Sequence, residues 1–246
     1  MSTVIAGEGT PEASWTAWPA LSGLPGLNLT GCRRLVLVAP HPDDEVLGVG
    51  GLVRMLADRG ARVELVAVTD GDASHPQSPT LSPDKLAAHR REESAAALAA
   101  LGLDAVVTRL GFADGRVAES ERELTAALGG VLRGADYSTW CLSTWDGDGH
   151  PDHESVGRAA REACGGARLL QYPVWTWHWA EPADARVPWH RAHRVPLGPA
   201  VTEAKRAAFG CFHTQIRPLS PDPADAAILG PAMLARLTRD FEVVFR

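Results

Sequence analysis

The sequence predicts an α/β fold built on a doubly wound, mostly parallel sheet with helices on both faces. Short apolar runs rich in Val, Leu and Ala alternate with stretches of helical length and period, the pattern of repeated βαβ units. The runs are continuously apolar rather than alternating, as expected of strands buried on both faces. At 246 residues the chain is long enough to bury one generous core.

Each element can be justified in turn. Residues 1–31, rich in Gly, Pro, Ser and Trp, read as an irregular N-terminal arm packed through Trp15 and Trp18; residues 32–246 read as a single domain. The run at 33–40, "RRLVLVAP", is the first strand. Residues 44–60 turn helical, with Asp44 near the start and Gly60 just past the end. Residues 61–71 form a second strand ending in a turn. The alanine-rich segment 82–102 is a long helix, capped by Ser82 and stopped by Gly102. A strand over 104–112 leads through the loop 113–116 to a helix over 119–134. The strand at 138–145 runs into a polar loop and a helix over 154–166, and residues 167–177 make the next strand. Trp175, Trp177 and Trp179 alternate there, so in a strand they share one face. Such a stripe either stacks on a sugar or apolar group, or seals a core or subunit interface; burial is the commoner use. The tail is less regular, with a helix over 202–212 and a closing strand at 241–246.

Composition narrows the function. A net charge of -6 argues against nucleic acid and against an anionic membrane surface as partner. Cys32, Cys141, Cys164 and Cys211 are scattered without a CxxC pair, as idle thiols of a reducing compartment would be, so a cytoplasmic location is expected. The first residues lack a basic stretch followed by an apolar one, so no signal peptide is expected. No run approaches the ~18 apolar residues of a membrane span. A homo-oligomer is left open.

The chemistry concentrates in two loops. "HPDDE" at 41–45 follows the first strand, and "DGDGHPDHE" at 146–154 follows the strand at 138–145. Crowded carboxylates repel and resist desolvation, so they call for a cation. In doubly wound sheets such strand-end loops converge on the ligand. Together they offer two imidazoles and a carboxylate to one metal ion, the donor set of a catalytic zinc site. Each loop alone could be a helix cap, since Asp is favourable at a helix N-terminus. A ligand set recurring in both loops is harder to obtain by capping. The glycines of "GVGG" do not complete a dinucleotide fingerprint, because Val53 stands where the third glycine belongs; Gly50 and Gly51 read as helix–sheet packing. Asp146 and Asp148 read as loop-solvating, and His75, His89, His190 and His193 as surface or structural. His178 has no evident companion.

"PHPDDE" at 40–45 and "HPDH" at 150–153 resemble the two signature motifs of the PIG-L/LmbE-like deacetylases, mycothiol-pathway enzymes among them. Supporting similarities are Gly50-Gly51, "TDG" at 69–71, Arg90 and Glu93, "FADGR" at 112–116 and "KRAAFGCFHTQ" at 205–215, so the likeness runs from about residue 33 to 215. It implies a Rossmann-like fold and a Zn²⁺-dependent hydrolase, with Fe²⁺ as the alternative metal. The implied reaction removes an N-acetyl group from an N-acetylglucosaminyl small-molecule conjugate. His41, Asp44 and His153 match the family's metal ligands, Asp43 its general base and His150 the group that stabilises the transition state. Arg90, Asp114 and His213 match positions near the substrate, with Thr214 where the family often has serine. Asp152 is placed to orient an imidazole. Glu45 either supports the metal site or complements a helix dipole. Alternatives are an amidase for a larger amide such as a thiol S-conjugate, a natural-product tailoring deacylase, and a sugar-binding protein without catalysis. Retention of the base Asp43 argues against the last.

Overall fold

The computed structural model describes residues 7–246. Among them seven strands form one sheet: β1 (Arg34–Ala39), β2 (Arg62–Ala67), β3 (Val106–Arg109), β4 (Thr139–Thr144), β5 (Arg168–Tyr172), β6 (Ala192–Pro196) and β7 (Phe241–Phe245). Their spatial order is β3-β2-β1-β4-β5-β7-β6. The first five run parallel, and β7 is antiparallel to both β5 and β6. The α/β, doubly wound, mostly parallel sheet is therefore present. Both faces are covered, as the continuous apolar runs require. Leu35, Leu37 and Ala39 of β1 join one core cluster, while Val36 and Val38 join the cluster on the other face.

The chain winds from β1 towards β2 and β3 on one side, then returns to lay β4 and β5 on the other side of β1. The carboxyl ends of β1 and β4 thus flank the point where the winding reverses. A crevice opens there between the two strand ends, bordered by the loops that leave them.

Several elements differ from expectation, each for a packing reason. The N-terminal arm is only partly irregular: it holds α1 (Glu12–Thr16) and α2 (Pro19–Ser22), while residues 1–6 lie outside the described residues. Trp15 is fully buried, and its indole N–H donates to Trp177 O at 3.0 Å. The helix expected over 44–60 is two, α3 (Asp44–Leu47) and α4 (Gly50–Ala57). Gly48 lies at the break, and a β-carbon there would come within 2.2 Å of the Tyr172 ring. At the start of α4, Glu242 of β7 accepts the Gly51 and Leu52 N–H groups at 2.8 and 2.7 Å, and Lys205 pairs with it at 2.7 Å. These contacts satisfy helix-end donors that a continuous helix would not have exposed.

Helix α5 (Pro83–Ala100) is capped by Ser82, as expected, and α6 (Glu121–Val131) follows β3. Helix α7 (Pro151–Ala163) starts three residues before the expected 154, with Pro151 in its first turn. Gly157 lets α7 press onto the end of β4, where a β-carbon would be 2.7 Å from Thr144 O. Residues 175–179 are not strand: α8 (Thr176–Trp179) follows β5 directly. Alternate residues of a helix point in different directions, so the three tryptophans do not form a stripe. Helices α9 (Pro199–Phe209), α10 (His213–Ile216) and α11 (Pro231–Leu237) complete the fold. None of the described helices is long and apolar enough to cross a membrane.

Candidate metal centre and active site

The two motif loops meet in the crevice between β1 and β4. His41 sits just past β1, Asp43 is the N-cap of α3, and Asp44 is its first residue. From the other side, His150 caps α7 while Asp152 and His153 lie in its first turn. Thr144 at the end of β4 ties this turn down through its hydroxyl, which donates to His153 O at 2.9 Å.

Three donor atoms form a near-equilateral triangle. Asp44 Oδ2 lies 3.3 Å from His41 Nδ1 and 3.2 Å from His153 Nε2, and the two imidazole nitrogens are 3.3 Å apart. A tetrahedral ion with bonds of about 2.0–2.1 Å has ligand–ligand edges of about 3.3–3.4 Å. The residues therefore fit a divalent cation. The same three form the group of nearby donors that could hold a metal ion, and His41, His150 and Asp152 form a second group that shares His41.

Behind the triangle, each imidazole is oriented by carboxylates. His41 Nε2 lies 3.1 Å from Asp114 Oδ1 and 3.2 Å from Asp152 Oδ2. Asp152 is in turn fixed by the N–H groups of Gly115 and Val117, at 2.7 and 3.1 Å. His153 Nδ1 lies 2.8 Å from Asp148 Oδ2. Asp148 is fully buried and also accepts the N–H groups of Val174, Trp175 and Thr176 at 2.9 Å each. Carboxylates in these places fix the ring that faces the ion and raise its basicity. Asp148 is therefore not a loop-solvating residue. Its signal lay in the spacing: an aspartate five positions ahead of the motif histidine His153.

Asp43 stands beside the triangle in a backbone conformation rare for a residue with a side chain, φ 139°. Its N–H is accepted by Glu45 Oε2 at 2.9 Å, and Ser94 holds the other Glu45 oxygen at 2.7 Å. Arg90, only 2% exposed, donates to Pro42 O, Gly71 O and Asp43 Oδ2 at 2.6, 2.9 and 3.1 Å. The guanidinium and Glu45 together hold Asp43 in place.

The electrostatics are those of a cation site. Asp43, Asp44, Glu45, Asp114, Asp148 and Asp152 converge on one small volume with the Arg90 guanidinium among them. Burial, assisted by Asp44 and Glu45, pushes the Asp43 carboxyl up to about 8, against the pull of Arg90. Burial opposes ionisation of Asp44, but His153 and His41 hold it well below the usual carboxylate range. Burial would likewise depress both histidines of the triangle, yet the carboxylates prevail. Asp44 and Asp148 raise His153 to about 9, and Asp114, Asp152 and Asp44 raise His41. His150 moves the other way, to about 3, through burial and the charge of His153 and His41. It is a neutral imidazole. Its Nδ1 accepts the Asp152 N–H at 3.2 Å, which leaves the proton on Nε2.

A cavity of about 340 Å³ opens onto the centre, and His41, Asp43, Asp44, Arg90, Asp114 and His150 give it a polar lining. Leu47, Pro76, Val174, Trp175, Ile228 and Leu229 add apolar lining to it. Trp175 stacks on His150 with ring centroids 6.5 Å apart. Trp177 instead packs edge-on against Trp15, and the Trp179 indole N–H donates to Asp148 O at 2.7 Å. His178 has a companion after all, since Arg236 Nη2 lies 3.0 Å from its Nδ1. His213 is exposed and lines a separate depression with His89 and Cys211; the structure does not bring it to the cavity. Its neighbour Thr214 is bound through its N–H and hydroxyl by Glu93, both at 2.7 Å.

Comparison with known proteins agrees with this geometry. The family model for PIG-L, GlcNAc-PI de-N-acetylase, matches residues 36–164, just over half the chain and both motif loops. A protein of Streptomyces scabiei named 1D-myo-inositol 2-acetamido-2-deoxy-α-D-glucopyranoside deacetylase is 34% identical over 192 residues, 66% of this chain and 57% of the relative. One of Catenulispora acidiphila, so named and numbered 1, is 39% identical over 180 residues, 61% of this chain and 54% of the relative. The chain thus spans little more than half the length of these relatives. Among solved structures, the antimicrobial reagent A40926 pseudoaglycone deacetylase Dbv21 superposes with a TM-score of 0.61 at 23% identity, covering 87% of this chain and 96% of that one. That likeness is one of fold, while the motif loops and the family match reach the site itself: the chain belongs to the PIG-L, GlcNAc-PI de-N-acetylase family.

Proposed function

We propose that the chain is a Zn²⁺-dependent hydrolase that removes an N-acetyl group from an N-acetylglucosaminyl small-molecule conjugate. The observation that carries this reading is the triangle of His41 Nδ1, Asp44 Oδ2 and His153 Nε2 with a carboxylate, Asp43, beside it and an open cavity in front. The relatives named as acetamido-glucopyranoside deacetylases support the substrate class. The donor set suits Zn²⁺ and also accommodates Fe²⁺.

Bound in the triangle, a divalent ion supplies Lewis acidity, bringing the pKa of water to about 7 and polarising the acyl carbonyl. The chain's own groups do the rest. Asp43, whose ionised form a cation in the triangle would favour over the protonated form that burial promotes, takes a proton from the attacking water, with Arg90 fixing the carboxylate oxygen that does not receive it. The water oxygen bonds to the acyl carbon as negative charge grows on the carbonyl oxygen. His150, neutral and protonated on Nε2, donates a hydrogen bond to that charge. Asp43 then returns its proton to the amine nitrogen as the C–N bond breaks, giving acetate and a free amino sugar. Asp114, exposed to the cavity while paired with His41, is placed to bind sugar hydroxyls. Four free thiols among the described residues support a cytoplasmic setting.

The test is acetate release from a panel containing N-acetylglucosamine, its inositol conjugate and chitobiose, with Asp43→Asn run beside the wild type. Release by the wild type that falls about 10²–10⁴-fold in the variant, at unchanged metal content, is expected. Equal release by both proteins would remove Asp43 as the base.

A further inference from the structure

The cavity has apolar lining to which the proposed proton transfers assign no role. The proposed proton transfers and charge stabilisation call on Asp43, Arg90 and His150 beside the triangle. Val174, Trp175, Ile228 and Leu229 supply an apolar wall to the same cavity. Neither Ile228 nor Leu229 belongs to a helix or strand, so something must hold them against the cavity.

What holds them is Asp225. Its side chain is fully buried and accepts three hydroxyls: Ser78 Oγ, Thr80 Oγ1 and Ser220 Oγ, each at 2.5 Å. Two of these come from the loop after β2 and the third from the loop that carries Ile228. The same two loops are joined by His75 Nε2, which donates to Ala226 O at 3.1 Å, while the Gln215 amide reaches Ser74 Oγ at 3.3 Å. The Leu229 N–H donates to Gln215 O at 2.9 Å. A buried carboxylate is costly unless its oxygens are satisfied, and here they are satisfied only when the two loops are together. Asp225 does not touch the metal triangle; it is a clamp on the rim.

We infer that this wall receives an apolar group carried by the substrate next to its N-acetyl sugar, and that Asp225 is the positioning residue that keeps the wall in place. The inference rests on the proposed deacetylase reading for its reaction but concerns a different part of the substrate. Its ligand class is an N-acetylglucosaminide with an apolar aglycone.

The experiment compares methyl and hexyl glycosides of N-acetylglucosamine with the zinc-loaded protein, by acetate release and by calorimetric binding. The hexyl glycoside is expected to show a kcat/KM and an affinity at least about tenfold higher, the scale of two buried methylenes. In Asp225→Asn that ratio should fall towards one through KM rather than kcat. Ile228→Asn, at a half-exposed site outside any helix or strand, should lower the same ratio. Equal values for both glycosides in the wild type, in release and in binding, would overturn the inference. Acetate release would then leave the deacetylase reading standing. Tighter hexyl binding without release from either glycoside would uphold the wall and sink the deacetylase reading.

Discussion

His153 shows how a single side chain is prepared for its task. Its Nε2 faces Asp44 and its Nδ1 faces Asp148, and the two carboxylates raise it to about 9. A metal ligand must be a neutral imidazole, so the ion has to displace the proton that these carboxylates favour. His41 is raised by the same kind of contact. The sign follows directly: lower pH fills both rings with protons and weakens metal binding, and higher pH strengthens it. Calorimetric titration in buffers of different ionisation enthalpy should therefore find proton release on metal uptake near neutral pH, with affinity rising from about pH 6 to pH 8. Metal binding without proton release would contradict the assignment of these two rings as ligands. Asp148→Asn keeps the size of the side chain but removes the charge behind His153. It should weaken metal binding by about 10–100-fold, measured by competition with a chelator.

At the scale of elements, the site depends on α3 being short. Gly48 ends it against the Tyr172 ring, and the Tyr172 hydroxyl donates to Val38 O at 3.0 Å, near the end of β1. Overpacking of this kind costs about 1–3 kcal/mol. Gly48→Ala should accordingly lower the thermal midpoint of the metal-loaded protein, and an unchanged midpoint would show that the ring has room to move. The same region shows what the sequence could convey. The apolar run of β1 and the motif after it were legible because strand burial and donor chemistry are local properties. The break after Leu47 was not, because the ring that enforces it comes from β5 and the carboxylate that caps α4 comes from β7. The "WTWHW" segment misled for a related reason. Its alternation suits a strand, but Asp148 gathers the N–H groups of Val174, Trp175 and Thr176, which turns the chain into α8.

Across the whole molecule, the order β3-β2-β1-β4-β5 explains why two motifs so distant in the chain share one site. They follow the two strands at which the winding reverses. Alternating strands and helices predicted this sheet, convergence of strand-end loops predicted that the two motifs meet, and the family resemblance singled out His41, Asp44 and His153 among their residues. The antiparallel β6–β7 edge and the packing of the N-terminal arm were not legible. They rest on tertiary contacts such as Trp15 against Trp177 and the pairing of Leu27 N with Arg194 O at 3.1 Å. His213 marks the same limit from the other direction. A position that resemblance puts near the substrate here faces another surface, while its neighbour Thr214 is spent on binding Glu93.

On the proposed function, one divalent ion in the His41–Asp44–His153 triangle is required for amide hydrolysis. The most direct measurement strips the protein with a chelator, adds Zn²⁺ in known increments, and follows acetate release from the inositol conjugate of N-acetylglucosamine. Release should be absent from the stripped protein, rise in proportion to added metal, and level off at one equivalent; His153→Ala should not recover over the same range. Undiminished release from the stripped protein, or full recovery of His153→Ala at one equivalent, would contradict the claim.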